Sequence, residues 1–377
     1  MRNMKLSLVM LILPALILVA CAPATTDTGP EPEAVTIVQT VEVPVEGETQ
    51  VVQAPGYGEI LARVQERGRV VCAGRTDLLG FGYLDDAGRN IGFDIDLCRA
   101  VAAAVLGDPE AVEIVPVTAA ERGPVIQTGE VDILARNVTW TSSRDAQWGN
   151  FTIIMFYDGQ GYMVRADSGI ETQADMNGSS VCVTSGTTTE KNLAADFRER
   201  GLDFEAVIFE DTSSVYGAFF DGRCDVTTSD RSQLAAIRAG ADVPDDYVIL
   251  PMIISKEPLT PVVPHGDDQW FDIVKLVMFA LINAENPAYG PITMDTVDAV
   301  LASDNIKGRT LLGAESDWGY SSLGLEPDAL ANAILAVGNY GEIYDRYMGP
   351  EGIAFTLPRG ANEHWTNGGL VYAPPVK

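Results

Sequence analysis

Short apolar runs alternate with longer amphipathic stretches along the first half of this 377-residue chain. Runs rich in Val, Ile and Leu predict buried strands, and apolar residues at helical spacing predict helices that cover them. Asp94–Leu106 is such a helix, with Cys98, Val101 and Val105 on its apolar face. Three strands are predicted around it: Val70–Ala73, Val112–Val117 and Val131–Leu134.

The same alternation restarts after Tyr162. Two α/β units in series predict two parallel-type sheets with helices on their faces. The predicted elements of the second unit are a strand at Ser180–Thr184, a helix at Glu190–Arg200, a strand at Val207–Phe209, a helix at Ser214–Phe220 and a strand at Asp225–Thr228.

From Leu259 onward the pattern is helical without strong strands, which predicts a chain that returns to cover its first unit. The predicted helices are Phe271–Ala284, Thr296–Ala302 and Leu330–Tyr347. The chain would cross between the units at Tyr162–Val164 and again at Ile253–Ser255.

The first residues have the pattern of an export signal. Arg2 and Lys5 precede an apolar run, Leu6–Ala20, that is too short to span a bilayer comfortably. The run ends in Leu18-Val19-Ala20-Cys21, which resembles the lipobox of bacterial lipoproteins. This resemblance implies a signal peptide over 1–20, a lipid on Cys21 and two acyl chains as a stable membrane anchor. An ordinary signal peptide with a chance cysteine is the alternative.

Residues 21–56 combine the lipidated cysteine with a stretch rich in Pro, Thr, Glu and Gly. Such a stretch buries too little apolar surface to offset the entropy of ordering it, which favours a flexible tether. The alternating valines of Val35–Val45 leave an edge strand as the alternative.

The formal charge of −28 argues against a nucleic-acid partner and against adhesion to anionic lipid. Once Cys21 carries lipid, four cysteines remain, which predicts two disulfides with three possible connectivities. The only histidines, His265 and His364, lie far from any cysteine in sequence. We therefore expect no metal, no cofactor and no histidine-dependent nucleophile.

An ordered series of motifs carries a family resemblance over nearly the whole chain past Gly56. Its members are Gly92-Phe93-Asp94-Ile95-Asp96-Leu97, Gly129-Glu130-Val131-Asp132, Asn137-Val138-Thr139-Trp140-Thr141, Tyr157-Asp158-Gly159-Gln160-Gly161, Ser185-Gly186-Thr187-Thr188-Thr189-Glu190, Gly222-Arg223-Cys224-Asp225, Ile254-Ser255-Lys256-Glu257-Pro258, Gly266-Asp267-Asp268-Gln269-Trp270 and Gly368-Gly369-Leu370-Val371-Tyr372-Ala373-Pro374-Pro375-Val376. Together they resemble the general, broad-specificity amino-acid-binding proteins of ABC importers. Each string alone is weak, and the ordered series is specific.

The resemblance implies an α/β fold of the type II periplasmic-binding-protein class, with a ligand cleft between two lobes joined by two crossover strands. The first lobe would comprise residues 57–162 and 256–377, and the second lobe residues 163–255. The implied protein is a monomer held at the membrane by its lipid, outside the cytoplasm. It would pass free L-amino acids to a membrane permease.

The resemblance also implies ligand-binding residues. Arg144 stands where the family's carboxylate-binding arginine is expected, and a guanidinium grips a carboxylate through two parallel hydrogen bonds. A surface arginine paired with Asp145 is the alternative. Asn137 and Thr139 follow a predicted strand, at the end where α/β sheets open their ligand crevice.

The second lobe would contribute Thr188 and Thr189 to the carboxylate and Asp230 to the ammonium. A bare capping box, Thr187 with Glu190, and a solvated aspartate are the alternatives at these positions. Phe81 and Trp140 are candidates for the pocket wall. Gly123-Pro124 departs from the family's usual Phe-Thr, which leaves that wall undefined.

The two-lobe expectation selects among the disulfide connectivities. A binding protein opens and closes about hinges, and bridges between lobes would oppose that motion. We therefore predict Cys72–Cys98 within the first lobe and Cys182–Cys224 within the second. Two other functions stay open: an enzyme on this fold, such as a cyclohexadienyl-type dehydratase, and the ligand-sensing part of a receptor.

Overall fold

The computed structural model describes residues 58–377 and two short strands before them. The predicted signal peptide and the lipidated Cys21 lie outside the described residues. The two strands, β1 (Thr40–Val45) and β2 (Glu48–Gln53), pair antiparallel. Both lie inside the stretch predicted as a flexible tether. Strand β1 falls within Val35–Val45, where a strand was the alternative prediction, and β2 was not predicted.

The next part of the chain, residues 58–158, forms the first section of lobe 1. Its apolar runs become short strands, of which β3 is parallel to β7 and β8, and its amphipathic stretches become helices beside them. The elements are α1 (Glu59–Arg67), β3 (Val70–Gly74), β4 (Asp77–Leu78), β5 (Gly82–Leu84), β6 (Asn90–Ile91), α2 (Phe93–Leu106), β7 (Val112–Pro116), α3 (Arg122–Gln127), β8 (Ile133–Leu134), α4 (Ser142–Gln147), β9 (Asn150–Phe151) and β10 (Phe156–Asp158).

Lobe 2 comprises residues 159–256 and repeats the α/β alternation, as the sequence predicts. Its elements are β11 (Gln160–Arg165), β12 (Ser179–Thr184), α5 (Thr188–Arg200), β13 (Phe204–Phe209), α6 (Thr212–Phe220), β14 (Val226–Asp230), α7 (Arg231–Ala239) and β15 (Tyr247–Ile249). The strand order is β13-β12-β14-β11-β15, with β12 parallel to both neighbours and β11 antiparallel to both of its own.

Residues 257–377 return to lobe 1. Their elements are β16 (Glu257–Leu259), β17 (Val262–Val263), α8 (Asp268–Glu285), α9 (Val297–Leu301), α10 (Ile306–Leu311), α11 (Ala329–Val337) and α12 (Tyr340–Met348). Strand β17 enters the first sheet, whose order is β7-β3-β8-β17-β9. The fully buried Trp270 of α8 donates its indole N–H to the Asp132 carbonyl at 2.9 Å, which anchors the returning helix to the sheet.

One long helix was predicted over Leu330–Tyr347, and this prediction is wrong because the chain breaks between α11 and α12. Gly338 has φ 84° and ψ −175°, a backbone conformation that ends α11. Asn339 then starts α12 with a capping box, in which its side chain accepts from the Glu342 N–H and Glu342 accepts from the Asn339 N–H.

Two antiparallel strands connect the lobes. Strand β10 leads out of lobe 1 and β16 leads back, and they pair with Asp158 opposite Glu257. The predicted first crossing, Tyr162–Val164, lies within β11 of lobe 2, so the chain crosses a few residues earlier. The second predicted crossing, Ile253–Ser255, immediately precedes β16. Two lobes joined by two crossover strands confirm the type II architecture.

Both disulfides lie within single lobes. Cys72 of β3 is bonded to Cys98 of α2, and Cys182 of β12 is bonded to Cys224 just before β14. The predicted pairing is confirmed. Each bridge fixes a strand to its own lobe and leaves the two hinge strands free to bend.

Candidate ligand-binding site

A small cavity lies between the lobes at the carboxyl ends of the central strands. Its position follows from the topology, because ligand crevices in α/β sheets open where parallel strands end. Polar and charged side chains dominate its lining. The lining residues are Arg75, Ala119, Arg122, Arg136, Asn137, Thr139, Thr184, Thr187, Thr188, Thr189, Thr212, Ser229, Asp230 and Gln233. Five of the eight predicted ligand-binding residues are among them.

Asn137 supports the lobe 1 side of the cavity in a strained conformation. Its φ of 45° is rare for a residue other than glycine. The buried carboxylate of Asp94 accepts the Asn137 N–H at 2.9 Å, and Arg75 donates to its side-chain oxygen at 3.3 Å. These buried partners hold the backbone of Asn137 at its positive φ. Such held, unfavourable conformations are typical of functional sites.

Arg144 is buried next to Thr139, which lines the cavity, and is not itself among the lining residues. Thr141 caps α4 by accepting from the Arg144 N–H, and the Arg144 guanidinium donates to the Thr139 carbonyl at 3.1 Å. Burial lowers the pKa of Arg144, although the charges of Glu257 and Asp230 oppose that shift. The neighbouring Asp145 accepts from the Phe151 N–H, so the surface ion pair does not describe this arginine.

The unusual Gly123 makes room for the aromatic ring beneath this arginine. A Cβ at Gly123 would lie 2.7 Å from the indole nitrogen of Trp148. The same indole lies under the Arg144 guanidinium, with its ring centroid 4.6 Å away. The departure from the family's Phe-Thr therefore permits a cation–π contact that orients Arg144.

The lobe 2 side begins at the N-terminus of α5. Thr187 caps this helix by accepting from the Glu190 N–H at 3.0 Å, and Glu190 accepts from the Gly186 N–H at 3.0 Å. Thr188 and Thr189 occupy the first turn of the helix and line the cavity. Because first-turn N–H groups of a helix have no intrahelical acceptor, this end of α5 favours an anion.

Asp230 lies at the end of β14 and is 7% exposed. Its Oδ1 has no hydrogen-bond partner among residues 58–377. Burial raises the pKa of this carboxyl well above its usual range, the negative charges of Asp158 and Glu257 add to the effect, and Arg122 and Arg144 oppose it. The carboxyl is therefore suited to a cationic ligand group that would stabilise its charged form.

Three further arginines line the cavity and were missed in the sequence. Arg75, Arg122 and Arg136 are each at most 7% exposed. Arg75 and Arg136 follow β3 and β8 closely, so the strand-end argument that located Asn137 also applies to them. Arg122 has no such signal; its guanidinium donates to the backbone carbonyls of Ala119, Asn137 and Gly186.

Two predicted wall residues lie elsewhere. Phe81 is fully buried in the lobe 1 core, where its ring packs against Phe93 and Phe156. Trp140 is 42% exposed and is not among the residues around the cavity. Neither ring therefore lines this cavity, and their contact with a ligand stays a prediction.

The lobes touch across the cavity. Arg75 of lobe 1 donates to Thr212 at 2.9 Å and to Gln233 at 3.0 Å, both in lobe 2. Gly186 of lobe 2 also approaches Ala120 of lobe 1 so closely that a Cβ there would lie 3.1 Å from its Cα. The described conformation is therefore closed.

The chain belongs to the bacterial extracellular solute-binding proteins, family 3, whose family model matches residues 70–290. It is 47% identical to the general L-amino acid-binding periplasmic protein AapJ of Rhizobium johnstonii over 84% of this chain and 92% of that protein. It is 45% identical to the glutamate/glutamine/aspartate/asparagine-binding protein BztA of Rhodobacter capsulatus, over 83% and 92% respectively.

A solved structure agrees with this assignment. The ABC transporter periplasmic binding protein from Brucella ovis, with glutathione bound, is 44% identical and superposes with a TM-score of 0.81. The match covers 85% of this chain and 100% of that chain. The chain is thus an extracellular solute-binding protein of ABC transport, and its described helices include none long and apolar enough to cross a membrane.

We expect amino-acid binding to release a proton, because burial in the cleft raises the pKa of Asp230 and a ligand ammonium beside this carboxyl would lower it. The affinity should then rise with pH up to the pKa of the free protein and fall on acidification. Calorimetry in buffers of different ionisation enthalpy measures this release. Binding heats that do not depend on the buffer at any pH across the acidic and neutral range would contradict it.

Proposed function

We propose that this protein captures free L-amino acids outside the cytoplasmic membrane and delivers them to the permease of an ABC importer. The observation that carries the proposal is the charge pattern of the closed cavity. Asp230 lies there without a partner for its Oδ1, together with arginines and the N-terminus of α5. An α-amino acid supplies the complementary ammonium and carboxylate. The names of AapJ and BztA support the same class of ligand.

We assign the ligand carboxylate to Arg144, Asn137, Thr188 and Thr189, and the ammonium to Asp230 and Thr139. Arg144 provides the fixed cation, and its guanidinium has donors beyond the one on the Thr139 carbonyl. Closure of the lobes around the ligand excludes water, which strengthens each of these charged contacts.

The ligand side chain is proposed to be acidic or to carry a second carboxylate. One α-carboxylate needs one arginine, whereas Arg75, Arg122 and Arg136 add three buried guanidinium groups to the cavity. The side-chain carboxylate of glutamate or aspartate would pair with these additional guanidinium groups. A γ-glutamyl peptide is the second candidate, because glutathione, bound in the Brucella protein, carries two carboxylates and one ammonium.

Arg75→Gln is expected to reduce the preference for glutamate over glutamine by about tenfold, because it removes a charge near the second carboxylate. Calorimetric titration with both ligands measures the ratio. Arg69→Gln is the matched control, since Arg69 pairs with Glu113 on the surface. An unchanged ratio in the Arg75 variant would remove Arg75 from the side-chain subsite.

We propose that the protein binds its ligand without transforming it. The test is to incubate the purified protein with an equimolar mixture of amino acids and glutathione, remove unbound ligand, denature the protein and identify the released molecules by mass spectrometry. We expect one class of ligand to be enriched and chemically intact. Recovery of a dehydrated or deaminated product would favour an enzyme on this fold.

The location and assembly follow from the same proposal. The signal-like Leu6–Ala20 and the lipobox-like end at Cys21 support export and a lipid anchor. A lipid-anchored monomer suits delivery to a membrane permease.

A further inference from the structure

Glu257 makes contacts to both lobes from its position on a hinge strand. It begins β16, is 1% exposed, and lies opposite Asp158 in the pairing of the two crossover strands. Its Oε2 accepts the hydroxyl of Thr139 from lobe 1 at 2.6 Å and the hydroxyl of Thr188 from lobe 2 at 2.8 Å. One carboxylate oxygen therefore joins the two sides of the cleft.

The second oxygen extends the contact into lobe 2. Oε1 accepts from the side-chain amide of Asn192 on α5 at 2.8 Å and from the hydroxyl of Ser255 just before β16. Four donors thus surround one buried carboxylate. Because a buried charge is costly unless it is hydrogen-bonded, these four contacts hold the side chain in a single position.

The direction of these hydrogen bonds determines what the two threonines can offer a ligand. A hydroxyl carries one hydrogen, and a carboxylate only accepts. Thr139 and Thr188 both give their hydrogen to Glu257, so each presents oxygen lone pairs to the cavity that both residues line. The two hydroxyl oxygens lie 3.3 Å from each other, farther than either lies from Glu257, whose carboxylate is also the stronger acceptor.

These lone pairs face a cavity that also contains a buried carboxyl group. Asp230 lines the same cavity, and the Glu257 charge contributes to raising its pKa. Hydroxyl oxygens that can only accept, beside a carboxylate, match an ammonium and not a carboxylate. The backbone N–H groups of Thr188 and Thr189 remain as the lobe 2 donors to an anion.

We propose that Glu257 is a positioning residue for ligand recognition and closure. It orients the Thr139 and Thr188 hydroxyls so that they accept from the ligand's ammonium, and it ties the lobes together when they close. This inference rests on the proposed function. Opening separates Thr139 from Thr188, so Glu257 then loses donors from at least one lobe, and the closed state is favoured.

The test is Glu257→Gln, measured with L-glutamate and with glutarate, which lacks the amine. A glutamine amide donates hydrogens, so a threonine hydroxyl that accepts from it turns its own hydrogen toward the cavity. We expect affinity for L-glutamate to fall by about ten- to a hundredfold and affinity for glutarate, measured by competition, to fall much less. Without ligand, the variant should also have a longer inter-lobe distance than the unmutated protein, as measured by spin-label spectroscopy.

The matched control is Glu285→Gln, which removes a carboxylate that pairs with Arg359 in lobe 1. It should leave the ratio of the two affinities unchanged. A second variant keeps the test decisive if Glu257→Gln unfolds: Thr139→Val should lose the same selectivity for the amine, because it removes one of the oriented oxygens.

Equal losses for both ligands, or an unchanged inter-lobe distance, would overturn the positioning role of Glu257. This outcome is distinct from failure of the proposed function. In that case the unmutated protein itself would bind neither L-glutamate nor any other amino acid.

Discussion

Replacing Arg144 with alanine is expected to abolish amino-acid binding while the fold stays intact. The ligand carboxylate would be buried without its counter-charge, which costs about 2–5 kcal/mol or more. The cation–π contact with Trp148 shows that Arg144 also packs, so a modest loss of stability accompanies the loss of binding. Isothermal calorimetry with L-glutamate and thermal unfolding of the same sample separate the two effects.

Arg122 is the alternative candidate for the cation that binds the ligand carboxylate, so its variant is compared with the Arg144 variant. It lines the cavity, and its guanidinium is held by backbone carbonyls. Arg309→Ala is the control for removing an arginine outside the cleft, where it pairs with Glu315. If Arg122→Ala abolishes binding and Arg144→Ala leaves the affinity unchanged, the α-carboxylate lies at Arg122 and our assignment is wrong.

Asp230→Asn is expected to weaken L-glutamate by about ten- to a hundredfold, because a charge-assisted contact to the ammonium is worth about 1.5–3 kcal/mol. The amide has nearly the shape of the carboxyl and cannot ionise. Burial and two neighbouring acids already favour the uncharged carboxyl in the closed cleft, so the fold should tolerate the change. The release of a proton on binding should disappear together with the affinity.

Glutarate distinguishes loss of the ammonium contact from general damage to the site. It lacks the amine, so its affinity should be nearly unchanged in Asp230→Asn. Asp225→Asn is the matched control in the same lobe, where Asp225 accepts from the N–H and hydroxyl of Ser180. Equal losses for glutamate and glutarate would argue that Asp230 does not face the ammonium.

Local pattern was sufficient to predict most of the fold. The strands at Val70, Val112 and Ser180 and the helices at Asp94 and Glu190 all form close to their predicted bounds, because apolar spacing selects both element type and buried face. The break at Gly338 was missed because the apolar residues continue in helical spacing on both sides of it. The first crossing was misplaced because Tyr162–Val164 is as apolar as a hinge strand would be.

The candidate site was also predicted in part, where local pattern or a family motif indicated a residue. Asn137, Thr139 and Asp230 follow strands or family motifs, so the sequence located them in the cleft. Phe81 does not line the cavity, because loop composition does not tell whether an aromatic ring faces a ligand or the core. Glu257 was missed because its partners Thr139 and Thr188 are distant in sequence and meet only through the fold.

The most direct test of amino-acid capture is a calorimetric titration of the protein after it has been unfolded, freed of ligand and refolded. Each of the twenty common L-amino acids is titrated separately, with glutathione as the peptide comparison. We predict saturable binding of one ligand per chain, tightest for an acidic amino acid. Folded protein that gives no saturable heat with any of the twenty would contradict the account.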